Sequence, residues 1–511
     1  MGIARVASRA QRGLSAPRVE VEVHLDSGLP HFSIVGLPAT AVKESKDRVR
    51  AALANSGFEW PPGRITVNLS PADLPKEGCR YDLPIALGIL IASSQLTMPE
   101  DRLGTHEFYG ELGLAGELKP IKGVLLAAAH ASREERSLMV PVANLREAWI
   151  AAPGATLAAE SLLEVCAQVR ARNAARMPRE LSTDPGPLAP ALDLADVRGQ
   201  AAAKRALVIA ASGAHSLLLL GPPGTGKTML AQRLPGLLPP LEGNDALEAA
   251  SIASVSLRGF SAADFGRPPF RAPHHTASAA AIIGGGAGAR PGEVSLAHRG
   301  VLFLDELPEF NRGVLESLRE PLESGVVAIS RAAYQVEYPA RFQLVAAMNP
   351  CPCGFLGEPS GRCRCAPPEI ARYRGRISGP LLDRIDLRVA VPALSSEELL
   401  EEENGPARMS SAVAAGLIAA ARGVQIARSG RLNAYLQARE LQDCCVVDHA
   451  GRRLLAGARV RLNLSARAIH RALRVARTIG DLAAVEQGVA PARTLAIPHL
   501  AEALQLRRAL E

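Results

Sequence analysis

Ser216-Leu-Leu-Leu-Leu-Gly-Pro-Pro-Gly-Thr-Gly-Lys-Thr228 sets an apolar run directly before the pattern G-x-x-x-x-G-K-[ST]. The run reads as a buried strand, and Met229-Leu-Ala-Gln-Arg-Leu234 behind it reads as the opening of a helix. Between them Gly221, Pro222, Pro223, Gly224, Thr225 and Gly226 form a loop whose backbone N–H groups turn inward on phosphates, since no Cβ obstructs them at the glycines. Lys227 offers those phosphates a point charge, and Thr228 offers a hydroxyl to Mg²⁺. The positive end of the helix dipole faces the same anion. A chance Gly/Pro turn would need neither the strand before it nor the helix after it. ATP with Mg²⁺ is therefore the expected ligand.

Two further apolar runs carry the polar groups that such a loop requires. Gly300-Val-Leu-Phe-Leu-Asp305-Glu306 ends in two carboxylates. Asp305 suits the Mg²⁺ shell, and Glu306 suits the orientation and deprotonation of an attacking water. Phe342 to Ala347 leads to Asn349, whose amide is placed to fix that water. Alone, an Asn before Pro350 would read as a turn residue.

Arginines supply the remaining charge. In Gly379-Pro-Leu-Leu-Asp-Arg384-Ile-Asp386, Arg384 is expected to reach a nucleotide held by the next subunit and stabilise charge on the transferred phosphoryl group. Arg467, in Ser465-Ala-Arg467-Ala-Ile-His-Arg471, is expected to bring a cation onto the phosphates from the C-terminal region. Arg467, Arg471 and Arg474 share one face of a helix, which also reads as a solvated basic face.

The 511 residues are 48% apolar, which excludes a largely disordered chain, and no apolar run approaches the roughly 20 residues that span a bilayer. The best candidate, Pro84 to Ala92, stops far short of that length. No hydrophobic signal core stands at the N-terminus, so the cytoplasm is the expected compartment and no membrane partner is expected. A net charge of +7 permits an anionic partner, and only 4% aromatic residues point to backbone contacts rather than base stacking if that partner is nucleic acid. Of eight cysteines, Cys351, Cys353, Cys363 and Cys365 cluster as two C-x-C pairs. In a reducing compartment they form a candidate Zn²⁺ site, with free loop thiols or a redox pair as the alternatives.

The organisation expected is α/β throughout. Residues 1–170 alternate strand and helix signals, 171–191 are a Pro/Gly/Ser-rich linker, 192–392 form a parallel sheet with helices on both faces, and 393–511 form a helical lid. Ser256 to Gly300 is too long for a simple connection and carries Arg258, Arg267, Arg271 and Arg290. Val326 to Tyr338 reads as strand, turn, strand with Arg331 near its tip. His274 and His275 are expected to serve a structural or pore-loop role rather than to bind metal.

Together the motifs resemble an AAA+ ATPase of the helix-2-insert group. Phe270-Arg-Ala-Pro-His-His-Thr-Ala-Ser278, Arg290-Pro-Gly-Glu-Val-Ser-Leu-Ala-His-Arg-Gly300, Asn349-Pro-Cys-Pro-Cys-Gly354 and Ser378 to Asp386 are similar to the ComM/YifB family of magnesium-chelatase-like ATPases. The resemblance covers essentially the whole chain. It implies a hexameric ring that uses ATP to drive branch migration on DNA during natural transformation. An alternative is a protein-remodelling or chelatase-type ATPase that does not act on DNA. The resemblance also implies an N-terminal domain of Lon-protease fold. At the positions of that fold's nucleophile and catalytic lysine this chain has Arg80 and Leu125, so an inactive binding or assembly module is expected.

Overall fold

The computed structural model describes residues 2–171, 192–286, 289–330, 335–358, 361–394 and 409–507. The expected linker, 171–191, lies outside the described residues except for Ala171, as does Arg331. The chain divides into two compact units, one of Met1–Pro187 with Ala246–Phe265, the other of Leu188–Asp245 with Gly266–Glu511.

The first unit is built on a seven-stranded mixed sheet in the order His31–Val35, Arg64–Ser70, Arg18–Asp26, Gly2–Arg9, His106–Phe108, Ser137–Pro141, Thr156–Ala159. Alternation puts Val19, Val21 and Val23 on the buried face of one strand and Ile65, Val67 and Leu69 on that of its antiparallel neighbour. Asp82–Ala92, which contains the apolar run Pro84 to Ala92, is a helix with Leu83 to Leu90 wholly buried rather than a spanning segment. Among the described residues no helix is long and apolar enough to cross a membrane. Leu125 is buried in the core, and Arg80 bonds the Tyr109 hydroxyl and Gln11 with its guanidinium over the Tyr109 ring. A side chain of either kind at these positions supplies no nucleophile or base.

One boundary differs from the expectation. The span 192–392 was expected to belong wholly to the ATPase core, yet Ala246–Phe265 packs with the N-terminal unit. Ala246, Ala250, Ile252 and Val255 on and after the helix Gly243–Ser254 are buried, and the Ser254 hydroxyl donates to Glu147, whose carboxyl burial pushes above its ordinary range.

The second unit contains a five-stranded, wholly parallel sheet in the order Phe270–Arg271, Val301–Leu304, Gln343–Met348, Leu217–Leu220, Leu387–Ala390. Its central strands are buried along their full length, as continuous apolar runs in a doubly covered sheet require. Val326–Ser330 and Gln335–Pro339 pair as the antiparallel ribbon that the alternation suggests. After Leu387–Ala390 the described chain is helical, with Ser411–Ser429, Ala438–Cys444, His449–Arg461, Ala466–Gln487 and Ile497–Gln505. Ala414, Ile418, Val475 and Ile479 of these helices share one apolar core with Leu217, Leu219, Leu230 and Val345. The helical region is thus fixed on the ATPase core by burial.

Candidate functional site

Parallel register brings three motifs to one edge of the sheet. Leu220 pairs with Met348, and Leu304 pairs with Ala346, so the chain leaves all three strands on the same side. There the glycine loop turns through positive φ at Gly224 (78°) and Gly226 (86°), a region that L side chains rarely enter, and Gly226 caps the helix Lys227–Leu237. Thr228 Oγ1 donates to Asp305 Oδ2 at 2.7 Å. Lys227 Nζ donates to Gly221 O and Pro222 O, both at 2.7 Å, and to Asn349 Oδ1 at 3.1 Å. Burial pushes the Lys227 ammonium below its ordinary pKa, with Asp305 and Glu306 opposing the shift. Four of the six catalytic candidates, Lys227, Asp305, Glu306 and Asn349, therefore meet at one place with the loop.

Residues at this edge fit a nucleotide with Mg²⁺. The loop turns at Gly224 and Gly226 through positive φ onto open space, Thr228 and Asp305 would hold the metal, and Lys227 would meet phosphate oxygens. When bound, Mg²⁺ neutralises charge on the phosphates.

His275, for which a structural or pore-loop role is expected, also stands beside this group. Its Nδ1 lies 3.3 Å from Glu306 Oε2, and its ring meets Phe310 edge-on. The signal was available in the strand order. Phe270–Arg271 runs parallel beside Val301–Leu304, so residues soon after Arg271 emerge next to Asp305 and Glu306. Glu306 itself sits in the left-handed region at φ 51°, which turns its side chain out of the strand path.

Arg384 and Arg467 stand elsewhere. Arg384 precedes its strand, and its carbonyl accepts from Ser216 Oγ at 2.9 Å. Ser216 and Gly221 bracket the strand Leu217–Leu220 and so lie about 16 Å apart. The Arg384 guanidinium is buried, donating to Glu323 and to Pro380 O, and Arg467 reaches the other oxygen of Glu323 at 3.1 Å. Together with its neighbouring cations, Arg384 holds the Glu323 carboxyl below its ordinary range. Arg467, expected to bring a cation from the lid onto the phosphates, thus meets Arg384 at Glu323 instead. Tertiary bonds explain why: Thr478 of the helix Ala466–Gln487 meets His215 Nε2 at 2.7 Å, and Arg471 meets Asp386 at 2.7 Å. These bonds seat the helix where the sheet begins rather than where it ends. Arg471 and Arg474, grouped with Arg467 as one basic face, bond Arg384 O, Asp386 and Leu436 O and are structural.

Asp386 is the hub of that seat. Its carboxylate accepts from Ser216 N (3.0 Å), Ser216 Oγ (3.1 Å) and Arg471 (2.7 Å). Burial would raise its pKa, but Arg471 and His215 outweigh burial and hold it well below the ordinary carboxylate range. Its stabilising contribution is therefore whole above the unfolded value of about 4 and is lost only as pH falls toward the folded value. Asp386→Asn leaves the half-buried Arg471 without its counter-charge, and a loss of about 2–4 kcal/mol is expected in the urea unfolding of this unit at pH 7. A loss below about 1 kcal/mol would remove Asp386 from that role.

Of the basic residues in the long connection, Arg271 is engaged by Glu293 at 2.5 and 2.8 Å, whereas Arg258 and Arg290 are exposed. The four clustered cysteines come together beside Asn349, with all their Sγ atoms within 4.8 Å of one another. The Phe355 N–H, ahead of smaller contributions, pulls the Cys353 thiol down to about 6.

A five-stranded parallel sheet with a glycine phosphate loop, an acidic strand end beside it and a helical C-terminal region defines an AAA+ ATPase of the magnesium-chelatase kind. Residues 193–399 match the family described as "Magnesium chelatase, subunit ChlI", residues 21–144 match "Subunit ChlI of Mg-chelatase", and residues 408–507 match "Magnesium chelatase, subunit ChlI C-terminal". The chain is 47% identical to Competence protein ComM of Haemophilus influenzae over 99% of its own length and 98% of that protein's. It is 46% identical to protein YifB of Salmonella typhimurium over 99% and 97% of the two chains, and 47% identical to YifB of Escherichia coli over 94% of each. The chain belongs to the ComM/YifB family.

Proposed function

We propose that this chain is a DNA motor that assembles as a hexameric ring and spends ATP on branch migration, extending heteroduplex during recombination of incoming strands. The observation that carries the reading is the division of charge between the two edges of one sheet. Lys227, Thr228, Asp305, Glu306 and Asn349 converge where the strands end, while Arg384 and Arg467 lie together where they begin. A nucleotide held at the first edge is completed by cations at the second edge of a neighbouring subunit, an arrangement that closes head to tail into a ring. Asp305 and Thr228 would hold Mg²⁺, Glu306 would take the proton from the attacking water, and Asn349 would position that water. His275 sets the segment after Phe270–Arg271 against Glu306. Exposed Arg290 and the paired strands Val326–Ser330 and Gln335–Pro339 suit contacts to phosphates that read no sequence. The competence name of the Haemophilus relative supports DNA as the partner.

The test is resolution of labelled three- and four-stranded DNA junctions by the purified chain, with ATP or a non-hydrolysable analogue and with Lys227→Ala as blank. ATP-dependent resolution is expected. ATP turnover with no junction movement, and no stimulation by any DNA, would turn the reading to a protein-remodelling or chelatase-type ATPase.

A further inference from the structure

We infer that Cys351, Cys353, Cys363 and Cys365 hold one Zn²⁺ as a tetrathiolate, and that this metal braces the loop carrying Asn349 against the phosphate loop. All four are free thiols, Cys351 is buried and the others are half-buried. Sγ separations are 3.4 Å for Cys351 and Cys353, and 3.7 Å for Cys363 from each of those two. A tetrahedron with Zn–S bonds of about 2.3 Å has S···S edges of about 3.8 Å. A disulfide would need about 2.05 Å, so the spacing fits a shared metal and not a bridge. Soft thiolate donors in this geometry select Zn²⁺ over the harder Mg²⁺ of the nucleotide site.

The position of the cluster gives the metal a task. Asn349 stands two residues before Cys351, and its side chain bonds Lys227. Gly354, between the two cysteine pairs, has φ 88°, and a Cβ there would lie 2.7 Å from Pro223 Cδ of the phosphate loop. On the other side Arg374 of the helix Pro367–Arg374 donates to Pro350 O at 3.2 Å. Cys351 to Cys365 contains no helix or strand among the described residues, so the four thiolates are what would tie its two ends together. The bracing role rests on the nucleotide reading above; the metal site does not.

The test begins with the full chain, purified without a metal-affinity tag, and its metal content. About one zinc per chain is expected, and replacement by Co²⁺ should give the intense visible bands of a tetrahedral thiolate site. Cys363→Ser/Cys365→Ser should retain less than about a tenth of the zinc, whereas Cys444→Ser, in the helix Ala438–Cys444, should retain all of it. ATP turnover of the double variant should fall by about 10- to 100-fold through displacement of Asn349. Zinc-free parent protein without a cobalt spectrum would overturn the site even if the variants fail to fold. Zinc loss with undiminished turnover would overturn the bracing role. A zinc-loaded parent chain without ATPase activity would support the metal site while removing the nucleotide reading.

Discussion

Glu306→Gln should bind ATP as the parent does and turn it over about 10²–10⁴ times more slowly. The substitution keeps the size of the side chain and an oxygen facing His275, whose Nδ1 lies 3.3 Å from the carboxylate. It removes only the base. Lys227→Ala acts at a different step, because Lys227 is the ammonium at the phosphate loop and its loss should abolish binding itself. A fluorescent ATP analogue reads binding and phosphate release reads turnover, so the two variants separate the steps. Parental turnover in Glu306→Gln would contradict proton abstraction by this residue, and tight ATP binding by Lys227→Ala would contradict the phosphate contact.

What the sequence makes legible here follows from how local the physics is. The strand ends at Leu220, Leu304 and Met348 are readable because each buried strand is an unbroken apolar run, and parallel strands deliver their exits to one edge without further information. Lys227, Asp305, Glu306 and Asn349 each sit within a few residues of such an end. His275 does not announce itself in this way, since its partner is fixed by strand order rather than by spacing. Arg467 is less legible still. Its helix has a basic face that would suit the phosphates, but the seat of that helix depends on buried bonds among His215, Thr478, Arg471 and Asp386, which bring together residues from distant parts of the chain. The same holds for Ala246–Phe265, whose attachment to the N-terminal unit is set by packing and by Ser254 with Glu147.

The separation of Arg384 from the phosphate loop of its own chain leads to the other large effect. Arg384→Ala should lower ATP turnover by about 10³- to 10⁵-fold while leaving nucleotide binding at Lys227 intact. Ser216 and Gly221 lie at opposite ends of one strand, and Arg384 is tied to the Ser216 end through its own carbonyl. On the proposed reading the site that needs its cation belongs to another copy. If so, two inactive proteins should rescue each other. In a ring assembled from equal amounts of Arg384→Ala and Lys227→Ala, a site is whole when an intact phosphate loop of the first meets an intact Arg384 of the second. Random assembly makes about one interface in four of that kind, so about a quarter of parental turnover should return on mixing. A chain that used Arg384 on its own nucleotide would gain nothing, because no single subunit in the mixture carries both groups. Glu323 makes the outcome sharper, since it binds both Arg384 and Arg467. Arg467→Ala should be rescued by the same partner if the two arginines serve one neighbouring site, and should remain inert in the mixture if Arg467 serves the nucleotide of its own chain.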